Sequence, residues 1–508
     1  MKTYPVAHLN GSRGENELVI YEGKGKTGTN RYGLEACVVD GRVVRFGKNN
    51  NEIPEGGYVI SGHGKAAGFL SENACFGAKV VRDPERQTVG FIVDGETKRQ
   101  TAEDRRRRIL DRSRILTEKG IPFDSESVGR ILTEASALVE EGREDDASRL
   151  LEDAYYLTAE TAEGEVRAVW HRPHEKTFEE VDETVRRFAE AGFNLFLLET
   201  NYEGYATTAK LAHPWLPVRK GFEDFDVLDA FIRAGKARGV RMHVWFEDFF
   251  YGVTGTGCPM MDYHPEYMAV RKDGGLLHDA YDTFYFLNPA MPEVQALLLD
   301  EIREILDNYA FDGFQLDYIR YPVMRGVDRS AGFEPYTKAA FLNETGIDID
   351  TIPDTETDEW KRFTAWRTGF VTDYVRKVRE LILEYRKNGR DIQLSTAVFG
   401  IPDEAIRLKC QDWCTWVKNG WLDAIYPMAY LNDAEDVGEE VRAMVEQYGE
   451  APNISGLAPM YNHLPYIEST KQVEECRKAG AKGVAFFCAG SFDEEQLRHL
   501  KEGVFRRK

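Results

Sequence analysis

Phe311-Asp312-Gly313-Phe314-Gln315-Leu316-Asp317-Tyr318-Ile319-Arg320-Tyr321-Pro322 reads as a buried strand that follows a helix and ends in a polar, aromatic loop. Strand side chains alternate, so Phe314, Leu316 and Tyr318 share one face and Gln315 and Asp317 the other. A carboxylate on the inner face at the carboxyl end of a strand is costly to bury unpaired. It is either matched to a cation such as Arg320 or Arg172, or used for chemistry. In a barrel of parallel strands, that end is where active sites sit. Asp312, at the other end, reads as a turn or cap residue.

The chain around this stretch alternates strand and helix from Glu165 onward. Strands are expected at Val166–Trp170, Phe193–Leu198, Val240–Phe246, Gly313–Tyr318, Ile392–Val398, Leu422–Pro427, Ile454–Pro459 and Gly483–Cys488. Helical segments lie between them, including Glu404–Lys418, and Gly192, Gly239 and Gly480 stand where helix C-caps are needed. Eight such units predict an α/β fold, a (β/α)8 TIM barrel. A doubly wound sheet would want a glycine-rich turn after an early strand, and there is none. Long insertions, Asp248–Met291 and Ile319–Glu359, follow strands three and four on the active-site face.

Upstream, short strands such as Leu18–Tyr21, Glu35–Val39, Arg42–Phe46, Gly57–Gly62 and Thr88–Val93 are punctuated by Gly, Asn and Asp, and Asp94-Gly95 reads as a closing turn. Gly62-His63-Gly64-Lys65 lacks P-loop spacing and reads as a turn. A charged segment with apolar residues at helical spacing follows. The expected organisation is a β-rich accessory domain at 1–98, a helical linker at 99–164 and a barrel at 165–508.

The 508 residues carry a net charge of −21, which argues against nucleic acid or an anionic membrane as partner. The run Arg105–Arg108 sits among acids and reads as a solvated helix face. No run of about 18 apolar residues exists, and the N-terminus has no apolar core of signal-peptide length. Seven irregularly spaced cysteines suggest reduced thiols and a cytoplasmic protein. Cys410 and Cys414 have no second pair to complete a zinc site. Homo-oligomerisation is left open.

Pooling the strand ends gives the expected site. The first offers His171 and Arg172, the second Glu199, and the third His243, Trp245 and Glu247. The fourth offers Asp317, Arg320 and Tyr321, the sixth Tyr426 and Tyr430, and the seventh Tyr461. Carboxylates, arginines and aromatic rings together suit a sugar, whose hydroxyls need polar partners and whose apolar face needs a ring. Glycoside cleavage needs two carboxyl groups. Glu247 and Asp317, on neighbouring strands about 4.8 Å apart, would approach the roughly 5 Å spacing of retaining enzymes. Glu199 with Asp317 would approach the wider inverting spacing. Asp317 is read as nucleophile or general base, and Glu247 or Glu199 as general acid. Arg172, His171, His243, Trp245, Arg320, Tyr321, Tyr426, Tyr430 and Tyr461 are read as substrate-binding residues. No cofactor or metal ligand is assigned. Other barrel chemistries fit less well: His171 and His174 lack the His-x-His spacing of metal amidohydrolases, strand five ends without an enolase-type acid, and no strand ends in a Schiff-base lysine.

The fourth-strand stretch resembles the Asp-Gly-x-x-x-Asp-Tyr-x-Arg-Tyr-Pro signature of the bacterial "family 10 glycosylhydrolase", the glycosyl-hydrolase-like TIM-barrel group, distinct from classical family-ten xylanases. Arg167-Ala168-Val169-Trp170, Gly239–Trp245 and Leu287-Asn288-Pro289 are similar to its other blocks. The resemblance spans roughly Glu165 to Leu500. It implies a barrel that acts on or binds a glycan, with Asp317 as its main acid. The stretch is also similar to the chitinase motif Asp-Gly-x-Asp-x-Asp-x-Glu, but Gln315 replaces the middle acid and Ile319 stands in the place of the catalytic Glu. Thr27-Gly28-Thr29-Asn30 and Ile60–Gly64 resemble part of the β-rich phosphodiester-glycosidase type over a short span. Two alternatives stay open: a carbohydrate-binding barrel without catalysis, and a metal-dependent hydrolase using His243, Glu247 and Asp317.

Overall fold

A computed structural model describes residues 1–279 and 282–506. Ala280 and Tyr281, inside the insertion expected after the third strand, and the last two residues lie outside it.

The amino-terminal part is an eight-stranded, mainly antiparallel sheet between Thr3 and Ile92. The helix Lys65–Asn73 covers one face, burying Leu18, Ile20, Ala36, Ile60, Phe69 and Leu70. Gly62-His63-Gly64-Lys65 turns at Gly64 (φ 55), as expected, and joins strand to helix. One local reading changes here. Asp94-Gly95 starts a helix: the Asp94 side chain accepts from Thr97 N at 2.9 Å, and Gly95–Glu118 is helical. Competition between turn and N-cap is intrinsic to Asp, whose side chain serves both. This helix packs with Ser125–Glu140 and Glu144–Leu157 around Ile109, Leu132, Leu151 and Tyr156.

The rest is the expected barrel. Its strands are β1 (Val166–His171), β2 (Leu195–Glu199), β3 (Arg241–Glu247), β4 (Gly313–Asp317), β5 (Gln393–Val398), β6 (Ala424–Pro427), β7 (Ile454–Leu457) and β8 (Gly483–Phe486). They pair in parallel in the order β6-β5-β4-β3-β2-β1-β8-β7. Bridges Ile425–Asn453 and Met428–Gly456 bring β6 and β7 together. Outward residues such as Phe196, Leu198, Met242, Val244, Phe246, Phe314 and Leu316 pack under the helices. Inward residues Trp170, Leu195, Leu197, Trp245, Tyr426 and Ile454 fill the interior. Two glycines make room for large inward rings: a Cβ on Gly456 would lie 3.0 Å from the Trp170 ring, and one on Gly313 would lie 2.5 Å from the His243 ring.

The expected helix Glu404–Lys418 is two helices, Pro402–Lys409 and Trp413–Lys418. Cys410 adopts a left-handed conformation (φ 54) and breaks it. The insertion after β3 carries a small three-stranded sheet, Phe250–Val253, Phe284–Phe286 and Leu277–His278. The β-rich domain docks on the helix after β6: the Asp433 side chain caps that helix and accepts Lys48 N at 2.8 Å, and Arg31 pairs with Glu440. No helix among the described residues is long and apolar enough to cross a membrane.

Candidate active site

Asp317 ends β4, and the chain turns sharply after it. Tyr318 sits in the left-handed region (φ 48), a conformation that costs a side-chain-bearing residue about 1–2 kcal/mol. The turn aims Tyr318 N–H at its neighbour's carboxylate, donating to Asp317 Oδ1 at 2.7 Å. On the other side the Trp245 indole donates to Asp317 Oδ2 at 2.9 Å. Both oxygens are therefore oriented, and the side chain is only half-buried. Burial raises the carboxyl above its ordinary value; the Tyr318 amide and the Trp245 indole oppose that rise. The Tyr318 ring stacks on Phe250 at 4.6 Å, so the small sheet of the insertion supports the turn.

Glu199 and Glu247 end β2 and β3. Arg172, the residue after β1, lies over both: Nε is 3.1 and 3.2 Å from the Glu199 oxygens, and Nη2 is 3.9 Å from Glu247 Oε1. The guanidinium is framed by Tyr202, Trp245 and Phe487, with ring centroids 4.5, 5.2 and 5.5 Å away. Beneath it the Glu199 and Glu247 side chains are at most 1% exposed. Glu247 is fastened by the Asn201 side chain, which accepts Glu247 N at 3.0 Å and donates to its carbonyl at 2.8 Å. Glu203 N donates to Glu247 Oε2 at 3.1 Å. Both carboxyls face the one guanidinium, and Glu247 Oε1 is buried without a hydrogen-bond partner. Burial, against Arg172, pushes Glu199 up to about 7, and burial together with Glu199 pushes Glu247 well above the carboxylate range. Two negative charges side by side in this buried space repel, which favours the state with one proton between them.

The mouth thus brings together Asp317, Glu199, Glu247 and Arg172. It is lined by half-buried Tyr430, whose ring lies 5.6 Å from Phe487, and by Tyr461, 57% exposed and edge-on to Phe487 at 5.2 Å. Trp245 reaches the site through its indole N–H; its ring is core.

The other expected site residues lie elsewhere. His171 points outward, because Trp170 before it and Arg172 after it point inward. Its ring packs on Phe231 and Phe196, and Nε2 lies 3.1 Å from Glu175 Oε2. His243 is one layer below the mouth, 1% exposed, with neither ring nitrogen bonded, and burial with Arg241 holds it down to about 3. Tyr426 is inside the barrel, edge-on to Trp170 at 6.0 Å. Tyr321 is fully buried beneath the helices and donates to Asn288 at 3.3 Å. Arg320 pairs with Asp279 at 3.4 Å rather than with Asp317, and stacks near Tyr318 at 5.0 Å. The metal set imagined from His243, Glu247 and Asp317 is not assembled; among the described residues, the group whose donor atoms converge within 4.8 Å is His171, His174 and Glu175.

Four contributors are not among the residues expected from the sequence: Tyr202, Tyr318, Phe487 and Asn201. Each stands within three residues of a strand end, and inward parity marks Phe487 and, beyond Glu199, Asn201.

The sequence profile of the glycosyl hydrolase-like 10 family matches residues 165–454, more than half of the chain. The chain belongs to that family. The match covers the strands that carry Arg172, Glu199, Glu247, Asp317 and Tyr430. A curated relative, the S-layer-related protein of Niallia circulans, is 26% identical over 314 residues. The alignment takes in 51% of this chain and 19% of that protein, so the chain spans about a fifth of its relative. Among solved structures, the PgaB (BpsB) glycoside hydrolase domain from Bordetella bronchiseptica superposes with a TM-score of 0.51 at 14% identity, over 67% of this chain and 99% of that one. The β-amylase catalytic domain from Paenibacillus polymyxa gives 0.49 at 13% identity, over 68% and 99%. The PgaB likeness shows a shared barrel fold. Family membership supports a glycosidase-type function.

Proposed function

We propose that the barrel hydrolyses a glycosidic bond of a glycan, with Asp317 attacking the anomeric carbon and Glu247 protonating the leaving oxygen. The observation that carries this reading is the Asp317 carboxylate: both oxygens accept N–H donors, which favours the ionised form, and it opens onto the aromatic mouth. Glu247 supports the acid role because burial and Glu199 keep it protonated at neutral pH. Glu247 and Asp317 are direct partners in the β3–β4 register. Neighbouring strands lie about 4.8 Å apart, which favours the roughly 5–5.5 Å spacing of retaining enzymes. Arg172 covers Glu247 in the free protein; substrate hydroxyls drawing the guanidinium aside would expose the acid, as catalytic contacts often tighten only in the complex.

The test is a panel of aryl glycosides of both anomers and of longer glycans, with wild type against Asp317→Asn. The expected result is turnover of one glycoside with retained configuration, reduced at least about 10³-fold in the variant. Full activity of Asp317→Asn sinks the assignment. A second reading, a glycan-binding barrel without catalysis, is favoured by the covered Glu199–Glu247 pair; silence across the panel with saturable glycan binding by calorimetry would establish it.

A further inference from the structure

His171 ends β1, and Arg172-Pro173-His174-Glu175-Lys176-Thr177 link it to the helix Phe178–Glu190. Arg172 turns into the mouth. The side chains of His171, His174 and Glu175 meet on the outer side of the same loop. His171 Nε2 lies 3.1 Å, and His174 Nδ1 3.8 Å, from the same Glu175 oxygen. Zinc–nitrogen distances of about 2.0–2.1 Å and zinc–oxygen distances of about 2.0–2.2 Å place tetrahedral donors roughly 3.3 Å apart. These two nitrogen–oxygen separations bracket that edge, and all three donor atoms lie within 4.8 Å of one another.

The surroundings hold the carboxylate in place. Glu175 Oε1 accepts from Thr184 Oγ1 at 2.7 Å, and Oε2 accepts from His174 N at 2.9 Å. Such outer contacts orient a ligating carboxylate and are worth about 10–100-fold in metal affinity. His171 and Glu175 side chains are each 2% exposed, while that of His174 is 73% exposed, so the cluster has a dry wall and one open side.

We propose that His171, His174 and Glu175 form a binding site for a divalent cation of the zinc class. Two imidazoles and a carboxylate suit zinc and its neighbours rather than calcium or magnesium, which take all-oxygen shells. The fourth position faces solvent and takes water. The ion is structural: its ligands turn away from the mouth, and it ties the loop carrying Arg172 to the helix layer. This proposal stands independently of the glycosidase reading.

A histidine–carboxylate hydrogen bond between His171 and Glu175 would explain those two side chains without an ion. It would not involve the His174 side chain, and that difference sets the experiment. Full-length protein stripped by chelator is titrated with Zn2+ by calorimetry and with Co2+ by visible spectroscopy, for wild type and for His174→Ala. The exposed His174 side chain can be truncated without loss of core packing. The expected result is one equivalent of either ion in wild type, d–d bands of a low-coordinate Co2+ centre, and a rise in Tm on Zn2+ addition. All are weakened at least about tenfold in His174→Ala. No saturable one-equivalent binding in wild type, or an unchanged titration in His174→Ala, overturns the site.

Discussion

Trp245→Phe tests whether Asp317 works as an oriented carboxylate. The substitution keeps an aromatic ring on β3 and removes the indole N–H that lies 2.9 Å from Asp317 Oδ2. A hydrogen bond to a charged group is worth about 1.5–3 kcal/mol, and one pKa unit corresponds to about 1.36 kcal/mol. Loss of the donor destabilises the ionised form, so the Asp317 pKa rises further. The Tyr318 amide, at 2.7 Å from Oδ1, remains and keeps the carboxylate in place. The assay is the pH profile of kcat/KM with the glycoside that wild type turns over. The acid limb, which on the proposed mechanism reports ionisation of Asp317 in the free enzyme, should move to higher pH. On that limb the variant falls about 10–100-fold below wild type, and at higher pH the gap narrows. Tm will fall as well, because Trp245 is 1% exposed and a smaller ring leaves space in the barrel. A lower Tm with an unmoved acid limb would refute the reasoning, since Trp245 would then only fill volume.

The Glu199–Glu247 pair predicts a pH-dependent stability. Glu199 is raised from 4.5 to about 7 in the fold, so its contribution is complete below the unfolded value and is lost as pH rises through about 7. Glu199→Gln keeps a donor to Glu247 at every pH. Scanning calorimetry should find wild-type Tm declining relative to the variant between pH 5 and 8; parallel curves would mean that the two carboxyls do not share a proton. Tyr430→Ala should raise KM several-fold while Tyr426→Phe leaves KM and kcat within about twofold, because Tyr430 lines the mouth and Tyr426 is enclosed in the barrel. Equal effects in steady-state kinetics would contradict that placement. Gly456→Ala puts a Cβ 2.9 Å from the Pro427 carbonyl and 3.0 Å from the Trp170 ring, and overpacking of this kind costs about 1–3 kcal/mol. Urea denaturation should show a lower midpoint with an unchanged slope, and an unaltered midpoint would mean that β6 and β7 yield freely.

The barrel was legible because each strand reads by alternation and each joint by a glycine or a cap. Arg241, His243, Trp245 and Glu247 share the inward face of β3, and the outward Met242, Val244 and Phe246 lie under the helices, as the pattern requires. What failed was depth and parity at the rim. The sequence reading groups His171, the last residue of β1, with Arg172, the residue after it. Alternation already separates them: Trp170 is inward, so His171 faces Phe231 and Arg172 faces the mouth. Tyr321 failed for another reason. Tyr318 leaves the strand in a left-handed turn, so parity no longer carries beyond it, and Tyr321 ends among the core residues beside Asn288.

His243 and Tyr426 point inward as read but lie a layer too deep, and that depth follows from strand stagger around the barrel, which one sequence does not display. In the register, His243 sits beside Gly313 and Leu197, whereas Asp317 sits beside Glu247 at the rim. The depth of a residue along its strand thus decides between a neutral core imidazole and a carboxylate at the rim. The same geometry explains why the acids separate into two environments. Asp317 ends its strand next to a turn that supplies an amide and an opening. Glu199 and Glu247 end theirs under the Arg172 guanidinium, both side chains at most 1% exposed. The proposed acid–base division of labour requires two environments that favour different protonation states in neighbouring carboxyls, and the two environments here arise from which residue follows each strand end: Tyr318 after β4, and Arg172 after β1.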